Sequence, residues 1–215
     1  MVECARLESV YTARYRRFES SSLRHKAKTE FGFGFFNKTH ARTAPRKYNL
    51  KGSEKLSVII HPIKPVKDEN SRTLVLGSFP SVKSRAANFY YAHPQNRFWR
   101  VMAAVFNAEV PTTTKEKIAL LKNNGVALYD VIEACEITGS ADSSVKNVVP
   151  CDIVALLSGT AIDRVFVNGK TAEKFYVKYL ESVSHIKCVA LPSTSPANAA
   201  YSLERLIAAW SVLKK

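Results

Sequence analysis

The chain has 215 residues, 46% of them hydrophobic, with 32 lysines and arginines against 18 acids and a formal net charge of +14. That is enough for one α/β domain with a sizeable core plus an appendage. No apolar run approaches the roughly 18 residues of a membrane span, and the charge favours a polyanionic partner, nucleic acid first and an anionic membrane surface second.

Residues 1–55 carry 13 lysines and arginines against 5 acids, so +8 of the excess sits in about a quarter of the chain. Hydrophobic periodicity is poor there. The clusters Arg14-Tyr15-Arg16-Arg17-Phe18 and Arg24-His25-Lys26-Ala27-Lys28 interleave basic and aromatic side chains. The segment reads as a poorly structured basic extension, either a flexible arm that adds non-specific DNA affinity or a tail without a specific task. Glu3, Glu8, Glu19 and Glu30 argue against an organelle transit peptide, which is poor in acids.

From about His61 the pattern becomes alternating strands and helices. Thr73–Leu76 reads as a strand that breaks at Gly77. Residues 96–106 carry Phe98, Trp99, Met102, Val105 and Phe106 at helical spacing. A second helix includes Ile118–Leu121 and stops at Asn123-Asn124-Gly125. Val126–Ile132 reads as one strand, and Ile153–Leu157 as a short helix capped by Asp152. Arg164–Val167 is a third strand halted by Asn168-Gly169, Thr171–Leu180 a helix, and Lys187–Leu191 a fourth strand. The last helix is placed at residues 197–213, with Leu203, Leu206, Ile207 and Trp210 on one face. The expected fold is a three-layer α/β/α sandwich around a mainly parallel four-stranded sheet. The domain would span residues 56–215, behind the extension at 1–55.

The cysteines, Cys4, Cys135, Cys151 and Cys188, form no Cys-x-x-Cys pair. They read as reduced thiols rather than a metal or iron–sulfur site, which points to a reducing intracellular compartment.

Two strand-end loops carry the chemistry. Leu76-Gly77-Ser78-Phe79-Pro80-Ser81 is a tight turn, followed by Tyr90-Tyr91-Ala92-His93-Pro94-Gln95-Asn96-Arg97-Phe98-Trp99, dense in aromatic, amide and basic groups. Leu191-Pro192-Ser193-Thr194-Ser195-Pro196-Ala197-Asn198 is a hydroxyl-rich loop leading directly into a helix, a setting that binds phosphate through free N–H groups and the helix dipole. It serves equally as an ordinary helix cap. Loops after the first and last strands can flank one cleft at the carboxyl ends of a parallel sheet. Such side chains suit a base and a phosphate better than a small acid or a peptide.

Gly77-Ser78-Phe79-Pro80-Ser81, Tyr91-Ala92-His93-Pro94-Gln95-Asn96-Arg97-Phe98-Trp99, Gly139-Ser140-Ala141-Asp142-Ser143-Ser144 and Pro192-Ser193-Thr194-Ser195-Pro196 occur in this order and spacing. They resemble the uracil-DNA glycosylase superfamily, most closely its hypoxanthine-DNA (deoxyinosine) glycosylase branch, over His61 to the carboxyl terminus. The resemblance implies a DNA repair enzyme that flips a deaminated base from DNA and hydrolyses its N-glycosidic bond. Hypoxanthine would come first and uracil second.

It also implies residue roles. Superfamily members usually carry Asn, Asp or Glu where this chain has Phe79, which cannot hold a water. The resemblance moves that role to Asn96, an amide that can orient water against an oxocarbenium-like sugar; read locally, Asn96 is also a natural helix cap. Tyr91 stands where the mismatch-specific branch stacks an aromatic on the base, or else is a core tyrosine. His93 can donate to base or phosphate, or be structural. Asp130, at a strand end, can accept from a base N–H or cap a turn. Gly77, Ser78 and Phe79 would shape the base pocket. Ser81, Lys83, Ser193, Thr194, Ser195 and Asn198 would meet the DNA backbone, with Ala197 where relatives carry a leucine wedge. Asp142-Ser143-Ser144 caps a helix or touches the backbone.

Lys83 and Lys146 read as solvated rather than as Schiff-base nucleophiles, so the expected enzyme is monofunctional and uses neither metal nor cofactor. Its expected partner is DNA with deaminated bases, duplex first and single strands second, met by a monomer in a DNA-containing compartment and not at a membrane. That compartment is the nucleus in a eukaryote and the cytoplasm in a prokaryote, with a mitochondrial address disfavoured. Three alternatives stay open: a uracil or G·T/U mismatch-specific glycosylase, a non-catalytic DNA-binding protein on the same fold, and an α/β enzyme of free nucleotides.

Overall fold

A computed structural model describes residues 58–137 and 144–214. The basic extension, its boundary at residue 55 and most of the Gly139–Ser144 motif therefore lie outside the described residues.

Four strands form a parallel sheet: β2 (Thr73–Gly77), β3 (Val126–Asp130), β6 (Arg164–Asn168) and β7 (Cys188–Leu191), in the order β3-β2-β6-β7. All five residues of β2 and all five of β3 are buried. A strand hidden on alternate faces must have helices on both, so the runs Thr-Leu-Val-Leu and Val-Ala-Leu-Tyr are almost wholly apolar. This is the α/β sandwich expected from the alternation of elements.

The connections place the site. From β2 the chain crosses one way to β3, through α1 (Val82–Ala86), α2 (Phe98–Val105) and α3 (Thr114–Asn123). From β6 it crosses the other way to β7, through α5 (Lys170–Tyr179) and α6 (Glu181–Ser184). Right-handed crossovers in opposite directions leave on opposite faces, which opens a crevice between the carboxyl ends of β2 and β6.

Local chemistry explains the elements. α3 opens with a capping box, in which the Glu116 N–H donates to Thr113 Oγ1 and the Thr113 N–H to Glu116 Oε2, each at 3.2 Å. It ends at Asn124 and at Gly125, whose φ of +62° is the left-handed stop signalled by Asn-Asn-Gly. Phe98 and Trp210 meet edge to face at 5.7 Å, joining α2 to α7 (Leu203–Trp210).

Three expectations change. The run Val126–Ile132 is two strands. β3 ends at Asp130, Val131 crosses over, and Ile132–Glu136 (β4) joins a separate antiparallel sheet with β1 (Val58–Ile60) and β5 (Lys146–Pro150). Uninterrupted hydrophobicity hid this break, because both sides of the crossover are buried. α4 (Ile153–Leu157) stands as expected, with the Ala155 N–H on Asp152 Oδ1 at 3.1 Å.

The last helix begins at Leu203, capped by Ser202, rather than at residue 197. Residues 197–202 lie outside the helix, and Arg97 ties this segment to the loop before it. Its guanidinium donates to the backbone oxygens of Thr194 (3.4 Å), Ser195 (2.6 Å), Asn198 (3.0 Å) and Tyr201. Consequently the Ser193–Ser195 loop does not lead directly into a helix. The phosphate site expected at a helix N-terminus is not built there.

Candidate nucleobase pocket

The strand registers align the polar ends of the sheet. Gly77 pairs with Asp130 across β2 and β3, and Leu76 with Val167 across β2 and β6, one residue before Asn168. Asp130, Gly77 and Asn168 therefore sit side by side at the carboxyl edge. Above them opens a cavity of about 540 Å³, a size suited to a nucleoside. Gly77 through Ser84, Tyr90, Tyr91, His93, Asn96, Ile137 and the second loop, Ser193–Pro196, complete its lining.

Asp130 is 3% exposed. Its Oδ2 lies 2.8 Å from His61 Nε2. The other ring nitrogen, Nδ1, accepts the Ile63 N–H at 3.2 Å. A nitrogen that accepts carries no hydrogen, so the proton is on Nε2 and is donated to the carboxylate. Asp130 Oδ1 points along Gly77: a Cβ built on Gly77 would sit 2.1 Å from it and 2.9 Å from the Tyr91 hydroxyl. Glycine is required here for close approach.

Tyr91 has φ +52°, the left-handed region, which costs a bulky residue roughly 1–2 kcal/mol. The turn separates two neighbouring tyrosines. Tyr90 enters the core and donates to the Lys64 carbonyl at 3.0 Å. Tyr91 stacks on Phe98, centroids 4.0 Å apart and planes 21° apart. One face of the Tyr91 ring is thus already covered. Its hydroxyl is buried and has no hydrogen-bond partner among the described residues. Burial first, then the Asp130 charge, push this phenol far above its usual range, with the Asn168 amide partly opposing. It stays protonated and is a donor in search of an acceptor.

Asn168 is held by Thr194. Its Oδ1 accepts the Thr194 N–H and its Nδ2 donates to Thr194 Oγ1, both at 3.0 Å. The backbone N–H fixes which end is oxygen, and the second Nδ2 hydrogen is on the side of the Tyr91 hydroxyl. Gly169, with φ +93°, follows it; a Cβ there would come within 2.9 Å of the Ser193 Cβ, so the two strand-end loops touch.

Asn96 makes a cap-type bond and also faces the cavity: its Oδ1 accepts the Phe98 N–H at 3.0 Å, and its side chain is part of the lining. Capping fixes the amide, leaving Nδ2 and one oxygen lone pair unused. His93 Nδ1 accepts the Gln95 N–H at 3.2 Å, leaving Nε2 as its donor. Phe79 gives an apolar wall, edge-on to His61 at 5.9 Å with Arg85 over its ring at 5.7 Å.

The residues read as DNA contacts divide. Ser81, Lys83, Ser193 and Ser195 line the cavity, and Lys83 is exposed. Ser81 Oγ also caps α1 by accepting the Ser84 N–H at 3.2 Å. Thr194 also lines it, yet it is 0% exposed and its hydroxyl is taken by Asn168, which unfits it for a phosphate. Asn198 is outside the lining; its Nδ2 holds the Ser193 carbonyl at 2.9 Å. Asp142 and Ser143 lie outside the described residues. Sequence reasoning missed His61, Asn168 and the Arg97 clamp. Asn168 had the same signal as Asp130, a polar residue ending an apolar strand. His61 has no local signal, because its partner is 69 residues away. No group of three or more metal-ligating side chains occurs among the described residues.

A parallel sheet with a polar-floored, aromatic-walled cavity at its switch point defines an α/β protein with a ligand-sized site at the carboxyl ends of its strands. The chain belongs to the uracil DNA glycosylase superfamily, whose family model matches residues 64–214. It is 33% identical over 142 residues to a hypoxanthine DNA glycosylase of Methanosarcina acetivorans, covering 65% of this chain and 89% of that one. A hypoxanthine DNA glycosylase of Methanosarcina barkeri is 34% identical over 84 residues, 39% of this chain; the match spans about half, 53%, of that relative. The fold superposes on the solution structure of a candidate uracil DNA glycosylase from M. acetivorans with a TM-score of 0.62 and 29% identity, over 73% of this chain and all of the other.

Proposed function

We propose that the protein is a DNA glycosylase that releases hypoxanthine from deaminated DNA, with uracil as a second substrate. Hydrolysis of an N-glycosidic bond in DNA is the reaction of its family, and the two relatives named for hypoxanthine point to the base.

The observation that carries the reading is the floor of the pocket. A lactam edge presents a carbonyl acceptor beside an N–H donor. Asp130 Oδ1 and the Tyr91 hydroxyl, an acceptor and a donor, meet beside Gly77, and the Asn168 amide, a second donor, lies next to the hydroxyl. Hypoxanthine fits with N1–H on Asp130 and O6 facing the two donors. Adenine, with an acceptor at N1 and an amino group at C6, has the opposite pattern. Burial makes each mismatch expensive.

In the reaction the N-glycosidic bond breaks with its electron pair leaving on the base, and the donors at O6 stabilise the charge that develops. A water held by the Asn96 amide bonds to C1′ of the oxocarbenium-like sugar and gives its proton to the base or to solvent. An amide is a weak base, and a cationic sugar needs only a weak nucleophile. Ser193, Ser195 and Lys83 at the rim would hold the backbone of a duplex, acted on by a monomer in a DNA-containing compartment.

The test is incubation with duplexes containing one deoxyinosine, deoxyuridine, xanthosine or G·T mismatch, read by alkaline strand cleavage. Release of hypoxanthine with an intact sugar–phosphate backbone is expected. A protein that binds these duplexes and releases no base would be the non-catalytic DNA binder instead.

A further inference from the structure

We infer that His61 is a specificity-determining positioning residue, which holds Asp130 so that its free oxygen can only accept a hydrogen from the bound base. The inference rests on the glycosylase reading above and adds a residue to it.

His61 is 7% exposed and packed among three rings, with centroids 4.7 Å from Tyr129, 5.9 Å from Phe79 and 6.1 Å from Tyr90. It reaches the site from the segment just after β1, outside the motif loops. Two hydrogen bonds determine its state: the Ile63 N–H occupies Nδ1, so Nε2 bears the hydrogen and donates to Asp130 Oδ2. That hydrogen bond occupies one carboxyl oxygen and fixes the orientation of the group. Its second oxygen then faces Gly77 and the cavity. The imidazole touches no part of the cavity itself. It selects among bases through Asp130 alone, just as an outer partner orients a metal ligand.

This arrangement separates bases by the atom at N1. Hypoxanthine carries a hydrogen there and completes the relay from His61 through Asp130 to the base. A purine without that hydrogen sets a lone pair against a fixed, buried carboxylate oxygen. Discrimination therefore depends on the His61 donor, whereas catalysis at C1′ by Asn96 does not.

Two variants and two substrates test it. His61→Phe keeps a ring among Phe79, Tyr90 and Tyr129 and removes the donor; His61→Gln retains a side-chain N–H near the position of Nε2. Single-turnover base release is measured on duplexes carrying deoxyinosine or deoxynebularine, the purine nucleoside that lacks both O6 and the N1 hydrogen. The expected result for His61→Phe is a loss of about tenfold to a hundredfold on deoxyinosine, with deoxynebularine release within about threefold of wild type. His61→Gln should restore most of the preference. Equal loss on both substrates, no loss on either, or a glutamine variant no better than phenylalanine would overturn the inference while leaving the glycosylase reading intact. Failure of the wild-type chain to release hypoxanthine at all would overturn the function instead.

Discussion

Gly77→Ala probes the pocket floor with a single methyl group. The backbone of Gly77 is ordinary strand, paired with Asp130, so alanine meets no conformational penalty. The obstacle is contact: the new carbon would lie 2.1 Å from Asp130 Oδ1, 3.4 Å from its carboxyl carbon and 2.9 Å from the Tyr91 oxygen. Oδ1 must retreat by more than about an ångström to reach van der Waals separation. It cannot do so freely, because Oδ2 is tied to a histidine caged by three rings. Overpacking of this kind costs about 1–3 kcal/mol, or roughly 3–9 °C in melting temperature for a domain of this size. Turning Oδ1 away removes a charge-assisted bond to the base, worth about 1.5–3 kcal/mol, hence about tenfold to a hundredfold in kcat/KM. The assay pairs a thermal melt with single-turnover release from a deoxyinosine duplex. An alanine variant that melts and cleaves like wild type would refute the close approach of Gly77, Asp130 and Tyr91.

Asn96→Ala should slow base release by at least about a hundredfold while duplex affinity stays within about threefold; an unchanged single-turnover rate would remove Asn96 from the chemistry. Tyr91→Phe deletes a buried hydroxyl that has no partner, so its melting temperature should hold or rise while release of hypoxanthine falls about tenfold, and a fall in stability with full activity would contradict both halves. Arg97→Lys replaces a planar fork that spans four carbonyls with a point donor; a destabilisation of about 2–4 kcal/mol is expected in denaturant unfolding, and an unchanged midpoint would show the clamp to be dispensable. Removing residues 1–55 should lower non-specific DNA affinity and flatten its dependence on salt, as measured by fluorescence anisotropy, whereas an unchanged salt slope would reduce the extension to a tail.

The elements legible in the sequence are those with strong local signals. Apolar runs ending at Gly77 and at Asn168-Gly169 announced β2 and β6, and Asn-Asn-Gly announced the end of α3. What escaped was decided at a distance. Val131 passes from one sheet to another in the middle of a continuous apolar run, and neither periodicity nor turn residues mark it. Residues 197–202 have enough alanine to continue a helix, yet the segment stays outside it and is tied down by Arg97 from a distant part of the chain. The pairing of the two loops across one cavity was readable because both follow strands of a parallel sheet. The hydrogen bonds that set the floor of that cavity were not, since His61 and Asp130, or Asn168 and Thr194, meet only after the chain has folded.

The Arg97 clamp carries a further consequence for how the loop after β7 can change. Arg97 grips only main-chain oxygens, so it is indifferent to the side chains displayed around them. Exposed Ala197, Ala199 and Ala200 could be exchanged for larger residues without loosening the grip. Insertion or deletion of a single residue would throw the four carbonyls out of phase with a rigid planar group. The loop thus behaves as a mount of fixed length with interchangeable fittings: what it displays at the rim of the cavity can be re-engineered residue by residue, and the distance from Asn96 to the opposite lip of the cavity stays the same.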